Sequence, residues 1–197
     1  MTVSSPRRYG NAVIGDGSDC QDLSMVKSQR WEAPQLGGER VRLRQLDESD
    51  ADAVWEMVND AEGNDLTATT DTFTREQIDE WCRSRPAQDE RLDLAIVDND
   101  TGDFVGEVVL NDFDSNTNSC GFRISLRGPA WYGRGLGTDA ARLMVAHGLG
   151  TIGLEAISLE VLARNRRARV VYDKLGFVTV RDFDEDDESW IEMRISR

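Results

Sequence analysis

The sequence predicts a single mixed α/β domain in which helices cover both faces of a mostly antiparallel central sheet. Two observations carry this prediction. Three strand-like segments follow one another at roughly 91–97, 104–111 and 118–126, and the turn-rich segments DNDTGD and DFDSNTN join them, which is typical of an antiparallel meander. Beyond Pro129, helical and strand patterns alternate to the end of the chain. The length of 197 residues fits one such domain and suffices to bury a core.

The first half of the chain is predicted to contain an extension, a strand and two helices. Residues 1–33 are rich in Ser, Gly, Asp and Gln without sustained periodicity, so we assign them to an N-terminal extension that precedes a domain at 34–197. The segment ERVRLRQL alternates apolar and charged residues and predicts a half-buried first strand. The segment DESDADAVWEMV predicts a helix capped by Asp47 or Ser49. A polar stretch, NDAEGNDLTATTD, then leads to Thr74, which can cap a second helix.

The second half is predicted to alternate helices and strands. A helix from about Gly135 to Leu149 is followed by the strand AISLEVL, a helix from Asn165 to Leu175, and the strands FVTVRDF and SWIEMRI. The complete order is β-α-α-β-β-β-α-β-α-β-β. No internal repeat or linker interrupts residues 36–197.

The charge of the chain argues against one class of partner. With 23 basic and 37 acidic residues, the net charge is −14 when the single His is neutral. Such a charge opposes binding to a phosphate backbone, so we expect no nucleic-acid partner. No apolar run approaches the roughly 20 residues that a membrane-spanning helix needs, and no apolar segment of an export signal follows the pair Arg7 and Arg8. We therefore expect no membrane association and a cytoplasmic location.

Metal sites and disulfides are also not expected. Cys20, Cys82 and Cys120 are odd in number, widely spaced and without a C-x-x-C pair, which indicates buried, inert thiols. A calcium loop starting at DNDTGD would need Gly and Glu where Asp103 and Val109 stand, so this segment is a hairpin turn.

One segment carries most of the chemical information. RGPAWYGRGLGT, at 127–138, follows a predicted strand and opens a helix. Gly133, Gly135 and Gly137 let the main chain turn, so that several N–H groups point outward at the positive end of the helix, as in an anion cradle. A flexible Gly-rich turn explains the segment alone equally well. A phosphate loop would need a Lys that is absent, and the spacing does not fit a dinucleotide fingerprint.

Two spaced motifs resemble those of the GNAT superfamily of acyl-CoA N-acyltransferases. Its signature [Q/R]-x-x-G-x-[G/A] corresponds to the run from Tyr132 to Gly137, with Tyr132 replacing the leading polar residue. The opening LGGERVRLRQLDESDA is similar to the branch that includes ribosomal-protein N-terminal acetyltransferases. Together the resemblance covers about residues 36–180 and implies the acyl-CoA N-acyltransferase fold. A second motif, N-x-x-A-x-x-x-Y-x-x-x-G-F, falls on Asn165, Ala168, Tyr172, Gly176 and Phe177.

The resemblance implies how acetyl-CoA, the acyl donor, is held. The pantetheine arm would enter where the strands SCGFRISL and AISLEVL separate. Asn165 would hydrogen-bond the arm, and Ala168 of the second motif belongs to the same set. An unpaired N–H on the first strand would face the thioester oxygen, at Ile124, Ser125 or Leu126. The pyrophosphate would lie on main-chain N–H groups, with Arg134 as a charge partner, along Tyr132, Gly133, Arg134, Gly135, Leu136, Gly137 and Thr138.

The resemblance also implies that Tyr172 is the general acid. A phenol with a pKa of about 10 can protonate a leaving thiolate whose thiol has a pKa of about 8.5. The alternative is a tyrosine that packs on the inner face of its helix. The general base stays open, because SCGFRISL contains no acid. Glu107, Asn111 and Glu160 lie on adjoining strands and could hold a water.

Covalent catalysis is not expected. His147 falls in the last turn of a predicted helix, where an imidazole commonly meets the negative helix end. None of the cysteines has the neighbouring His that would activate a nucleophile. We therefore expect direct acetyl transfer in a ternary complex.

Two charged segments have alternative explanations. The acidic run from Asp182 to Glu188 is either a solvated hairpin tip or a surface that attracts cationic acceptors such as polyamines, aminoglycosides or a basic peptide terminus. A basic patch either meets the cofactor's ribose phosphate or is an ordinary charged helix face; it comprises Arg164, Arg166, Arg167 and Arg169.

We predict an acetyl-CoA-dependent N-acetyltransferase whose acceptor is a primary amine of a small molecule or a peptide N-terminus. Two alternatives belong to other classes: an acyl-CoA-binding sensor without catalysis, and an interaction domain that works through residues 1–33 and the acidic hairpin. The acceptor and the oligomeric state stay open, with a homodimer as one option.

Overall fold

The computed structural model describes residues 31–197. The predicted extension at 1–33 therefore lies outside the described residues except for its last three, and so do Arg7, Arg8 and Cys20. Trp31 is buried in the main core and packs edge-on against Phe113, with 5.4 Å between the ring centroids.

All eight strands of the described chain form one sheet in the order β1-β2-β3-β4-β5-β6-β8-β7. β5 and β6 are parallel, and every other neighbouring pair is antiparallel. The predicted meander corresponds to β3, β4 and β5, and the predicted fold class is confirmed. The strands are Leu36–Gly37 (β1), Val41–Gln45 (β2), Leu92–Asp98 (β3), Phe104–Asp114 (β4), Ser119–Leu126 (β5), Ala156–Leu162 (β6), Val178–Glu185 (β7) and Glu188–Ser196 (β8).

Five α-helices connect the strands within residues 31–197. They are Ala51–Val58 (α1), Ala61–Thr67 (α2), Arg75–Ser84 (α3), Leu136–Ala146 (α4) and Arg166–Leu175 (α5). Short 3₁₀ turns occur at Glu48–Asp50, Arg85–Ala87 and Pro129–Trp131, and a π-helical segment at His147–Ile152 extends α4. In the part of the chain that the structure describes, no helix combines the length and apolarity needed to cross a membrane.

The predicted caps are confirmed, whereas two elements were not predicted. Asp47 caps the 3₁₀ turn that leads into α1, and Thr74 forms a capping box with Gln77 at the start of α3. The polar stretch after α1 contains α2, which has no buried residue and so shows no apolar period in the sequence. The two-residue strand β1 is too short to show a pattern.

Buried side chains form a core on each face of the sheet. The larger core joins the sheet to α4 and α5, and includes Val108, Met144 and Ile157. The smaller core joins β3 and β4 to α1 and α3, and includes Ala95 and Ile78. Helices on both faces therefore follow from strands that are apolar on both sides.

The sheet separates at one position. Parallel pairing between β5 and β6 covers only Ser119–Gly121 against Ala156–Ser158, whereas β6 pairs with β8 along its whole length. Beyond Gly121, β5 stays paired with β4 and loses β6 as a neighbour. The C-terminal half of β5 thus has one unpaired edge, as the resemblance implied for these two strands.

Candidate active site

A cleft of about 1240 Å³ lies at the separation of β5 and β6. Its lining comes from α2 with the residues up to Asp71, the end of β4, β5, β6, α5 and the β7–β8 hairpin. Tyr172, Asn165 and Ala168 of the second sequence motif all line it. The residues that the motif predicts to act together are therefore close in space.

Backbone geometry determines which N–H groups of β5 face the cleft. The Arg127 N–H donates to the Val105 carbonyl across β4, at 2.8 Å. N–H groups alternate between the two edges of a strand, so the Ser125 N–H also faces β4, and those of Ile124 and Leu126 face the β6 side. The prediction of an unpaired N–H at Ser125 is therefore wrong, because this N–H faces β4 within the sheet and not the open edge of β5.

The same alternation places the N–H groups of Phe122, Ile124 and Leu126 on the β6 side of β5. The parallel pairing of Gly121 with Ser158 uses the Phe122 N–H, which faces the Ser158 carbonyl of β6. Ile124 lines the cleft, whereas Leu126 does not and lies against Gly106 and Gly137. The open amide of β5 in the cleft is thus at Ile124.

The Gly-rich segment has the geometry of an anion cradle. Gly133 and Gly135 have φ angles of 72° and 81°, and Gly135 immediately precedes α4. The Tyr132 N–H donates to the Pro129 carbonyl and the Asp139 N–H to that of Gly135. Between these two bonds, the six N–H groups of 133–138 have no acceptor among residues 31–197. They lie at the positive end of an eleven-residue helix.

Two side chains of the cradle segment have protein partners. Arg134 donates to Asp98 at 2.8 Å, and its guanidinium lies 4.9 Å from the centre of the Trp131 ring. This buried carboxylate offsets part of the charge of Arg134, and the role of Arg134 as a charge partner of the pyrophosphate stays a prediction. Tyr132 donates to Asp60 at 3.1 Å, and burial together with Asp60 raises the pKa of the phenol.

Asp139 anchors the cradle, and nothing in the sequence motif indicates this role. Its buried carboxylate accepts from the backbone N–H groups of Arg40 at 2.8 Å and Val41 at 3.3 Å. This contact fixes the first turn of α4 against β2. Gly38 allows the approach, because a Cβ at this position would lie 2.5 Å from the Asp139 Oδ2.

Asn165 connects α5 to α2. Its Oδ1 accepts from the Ala168 N–H at 3.1 Å, which caps α5, and its Nδ2 donates to the Leu66 carbonyl at 3.0 Å. One Nδ2 hydrogen is not used by these bonds, so the hydrogen bond from Asn165 to the pantetheine arm stays a prediction. Ala168 stays in the lining of the cleft, although its N–H is used by this cap.

Tyr172 is buried on α5 and reaches the cleft. Its ring packs edge-on against Phe122 at 6.2 Å and at a tilt against Phe177 at 5.8 Å. These contacts restrict the ring and place it against β5 beside the cleft. The packing alternative for Tyr172 is thus correct for the ring, and it leaves the acid role as a prediction for the hydroxyl.

The proposed water-holding residues differ in their access to the cleft. Glu107 is fully buried outside the cleft lining, its Oε1 lies 3.6 Å from Arg123, and burial raises the pKa of its carboxyl. Glu160 lines the cleft and lies 3.9 Å from Arg181. Asn111 lines the cleft and is buried.

Cysteine and histidine positions agree with direct transfer. Burial raises the pKa of the Cys82 thiol and the Cys120 thiol to about 12, so neither forms a thiolate at neutral pH. His147 opens the π-helical segment outside the cleft lining, and burial lowers the pKa of its imidazole. Residues 31–197 contain no cluster of His, Cys, Asp or Glu that could hold a metal ion.

The basic patch is mostly neutralised by protein groups. Arg164 binds Asp65 and Glu188 at 2.9 Å each, and Arg167 binds Glu62 at 2.8 Å. Arg169 donates to the Ala163 carbonyl. Arg164 and Arg167 are thus part of charged pairs on the helix side of the cleft, and contact of the patch with the ribose phosphate stays a prediction.

The acidic run is a hairpin that borders the cleft. β7 and β8 are joined by Asp186 and Asp187, both with positive φ. Asp186 and Glu188 line the cleft. Among residues 31–197, the cleft lining contains three arginines, at 123, 164 and 181, and eight carboxylates: Asp65, Asp71, Asp112, Asp114, Glu160, Asp186, Glu188 and Glu192.

Comparisons with known proteins agree with this geometry. A family model described as an acetyltransferase (GNAT) domain matches residues 40–178. A GNAT-family acetyltransferase from Bacillus anthracis superposes with a TM-score of 0.73 at 16% identity, covering 83% of this chain and 98% of that one.

Two proteins from Vibrio cholerae are also similar in fold. A putative ribosomal-protein-serine acetyltransferase has a TM-score of 0.68 at 15% identity, covering 84% of this chain and 99% of that one. A spermidine N-acetyltransferase in complex with CoA and spermine has a TM-score of 0.72 at 17% identity, covering 80% and 95%.

Proposed function

The chain belongs to the GNAT acetyltransferase family and is an acetyl-CoA-dependent acetyltransferase, and on this premise we propose that it acetylates a cationic primary amine by direct transfer in a ternary complex. The observation that carries the proposal is the cleft between β5 and β6, which has the open Ile124 amide toward one substrate and a carboxylate-rich lining toward the other. Neither substrate has to be covalently attached to the protein in such an arrangement.

Open amides support the binding of the donor. The N–H groups of 133–138 have no protein acceptor among residues 31–197 and lie at a helix N-terminus, which suits a diphosphate. The amide of Ile124 lies on the unpaired edge of β5, where an extended amide-containing arm can complete the edge of the sheet. The thioester carbonyl oxygen would accept a hydrogen bond from the Ile124 amide, which stabilises the charge that develops during transfer.

The proposed reaction uses one acid on the protein. The neutral amine adds to the thioester carbonyl carbon, the C–N bond forms and the C–S bond breaks. The nitrogen gives up its extra proton, which ends in solvent. The leaving thiolate takes the phenolic proton of Tyr172, and Tyr172 regains a proton from solvent. The buried ring of Tyr172 supports this assignment, because packing against Phe122 and Phe177 limits the positions open to the hydroxyl.

The charge of the cleft supports a cationic acceptor. Eight carboxylates against three arginines, all of them among the described residues, make the lining attractive to an ammonium group and repulsive to an acidic acceptor. The structurally similar spermidine N-acetyltransferase contains spermine in its complex, which makes polyamines the first acceptors to test. Aminoglycosides and basic peptide N-termini carry the same chemistry.

A thiol-release assay with acetyl-CoA tests the proposal. We expect turnover with polyamines, aminoglycosides or basic peptides, and slower turnover with neutral amino acids, because the lining favours positive charge. Fully N-acetylated forms of the same acceptors are the control and should release no thiol. Absence of thiol release with every amine in the presence of the protein would contradict the proposal.

A further inference from the structure

β4 is interrupted by a bulge where it borders the cleft. The register between β4 and β5 shifts between Asn111 and Asp114, opposite Gly121 and Ser119. Asp112, inside the shift, has a φ of 52°, which is unusual for a residue with a side chain. Bulges of this kind redirect a side chain, and strained positions cluster at functional sites. Both Asn111 and Asp112 line the cleft.

The bulge orients two hydrogen-bond acceptors toward the cleft. Asn111 is only 8% exposed, and its Nδ2 donates to the Asp112 Oδ2 at 2.8 Å. Within residues 31–197 no donor is assigned to the Asn111 Oδ1 or the Asp112 Oδ1. The Asn111 Oδ1 and the Asp112 Oδ1 are both hydrogen-bond acceptors. A group that bonds both atoms has to donate two hydrogen bonds, as an amine can.

The bulge lies at the position where β5 and β6 separate. A Cβ at Gly121, the last residue of β5 paired with β6, would lie 3.1 Å from the Asn111 Oδ1 and 3.6 Å from the Asp112 Oδ2. Successive residues of a strand face opposite sides, so Phe122 and the Tyr172 ring packed against it lie on the other face. The Asn111–Asp112 pair and Tyr172 therefore flank β5 from opposite faces of the sheet.

This arrangement separates two proton transfers. On the Tyr172 face a thiolate gains a proton, and on the opposite face a nitrogen has to lose one. Glu107 is excluded from the second role because it does not line the cleft. Glu160 and Glu188 are near arginines, whereas Asp112 is exposed and has one oxygen without a partner in the described residues.

We propose that Asp112 is the proton acceptor for the amine and that Asn111 positions it, an inference that rests on the proposed acetyl transfer. The neutral amine adds to the thioester carbonyl, which leaves one extra proton on the nitrogen. That proton passes through water in the cleft to the Asp112 Oδ1 as the C–S bond breaks and the thiolate takes the proton of Tyr172, because Asp112 lies beside Gly121 and the open amide is at Ile124, farther along β5. Asp112 then loses its proton to solvent, and the products are the acetylated amine and free CoA.

The test compares Asp112→Asn and Asp112→Gly with the wild-type protein in the thiol-release assay, with spermidine and a basic Ser-initiated peptide as acceptors. Asparagine keeps the shape and the left-handed backbone but cannot accept the proton. Glycine adopts a φ of 52° without strain, so this variant removes the carboxylate while the fold is kept. We expect kcat at saturating amine to fall about 100-fold in both variants, within the range for loss of general base catalysis. The affinity for acetyl-CoA should stay within about 2-fold of wild type.

Asp100→Asn is the matched control, because it removes one exposed carboxylate from the β3–β4 turn outside the cleft lining. It should retain wild-type turnover. If kcat at saturating amine is unchanged in the Asp112 variants and only the KM for the amine rises, Asp112 attracts the acceptor and the proton role is overturned. Wild-type protein without turnover on any amine would instead remove the proposed function, and this inference with it.

Discussion

The proposed donor and acceptor ends of the site are built by different means. At the proposed donor end the groups that would face the ligand are backbone N–H groups, at the Gly-rich segment outside the cleft lining, where Gly133, Gly135 and the start of α4 place them, and at Ile124 in the cleft. At the proposed acceptor end they are side chains from α2, the β4 bulge and the β7–β8 hairpin. A backbone site depends on local conformation, whereas a side-chain site depends on which distant segments meet. The donor end therefore suits a fixed ligand, and the acceptor end can vary in specificity.

Tyr172→Phe removes the proposed general acid, which acts where the donor and acceptor ends meet. We expect this variant to have the largest effect. Loss of the phenolic proton should lower kcat by about 100-fold or more, in the range for general acid catalysis. The ring contacts with Phe122 and Phe177 remain, so acetyl-CoA affinity and the melting temperature should stay close to wild type. Steady-state kinetics measures kcat, calorimetric titration measures the affinity for acetyl-CoA, and thermal denaturation measures the melting temperature. Equal turnover in the two forms would remove the acid assignment.

Asp139→Asn tests whether the donor end depends on its anchor. The side chain of the new asparagine has one oxygen that can accept from the N–H groups of Arg40 and Val41. It also buries an NH₂ group that cannot accept a hydrogen bond from them. We expect a loss of about 1–3 kcal/mol in the free energy of unfolding, together with weaker acetyl-CoA binding. Chemical denaturation and titration measure both.

The matched control for this variant is Asp173→Asn, an exposed position on α5. It should leave stability within about 0.5 kcal/mol of wild type, as is usual for a surface substitution. Equal stability of both variants would show that α4 does not need the Asp139 contact.

Gly135→Ala tests the backbone character of the donor end. At a φ of 81° a Cβ costs about 1–2 kcal/mol, and this Cβ would also lie 3.3 Å from the Arg40 Cδ. We expect acetyl-CoA affinity to fall about 10-fold while the KM for the amine is unchanged. Gly150→Ala is the control, since nothing lies within 4 Å of its Cβ position. A fall in amine affinity as large as that in acetyl-CoA affinity would contradict the division between the two ends.

Asp186→Asn should have the smallest effect and acts at the acceptor end. Asparagine tolerates the φ of 50°, so the change removes one exposed charge from the cleft lining. The KM for a polycationic amine should rise about 2- to 5-fold at low ionic strength, with no change in the KM for acetyl-CoA. The difference should shrink when the assay is repeated at high salt. An effect that is independent of salt would indicate a direct contact rather than charge attraction.

Local sequence patterns predicted most of the fold. β6 has the predicted bounds, Ala156–Leu162, and Thr74 caps α3 as expected. α2 was missed because it has no buried face, and its Asp60 cap is indistinguishable in sequence from turn chemistry. Helical and strand periods are visible only where one side of an element is apolar.

The structure gives the motif residues surroundings that the sequence does not show, and their roles toward acetyl-CoA stay predictions. The N–H groups of 133–138 have no acceptor among residues 31–197, and Tyr172 lines the cleft. Arg134 pairs with Asp98, 36 positions away, and the Asn165 amide binds Leu66, 99 positions away. These partners are distant in sequence, and no local pattern reports them.

By itself, the sequence determined the family, the order of all elements except β1 and α2, and the turn of the Gly-rich segment, because these depend on neighbours within a few turns of chain. Only the tertiary structure decided which amides of β5 are open, which carboxylates border the cleft and which arginines are already paired. The physical reason is that hydrogen bonds and ion pairs are satisfied by whichever group folding brings near, regardless of its distance along the chain.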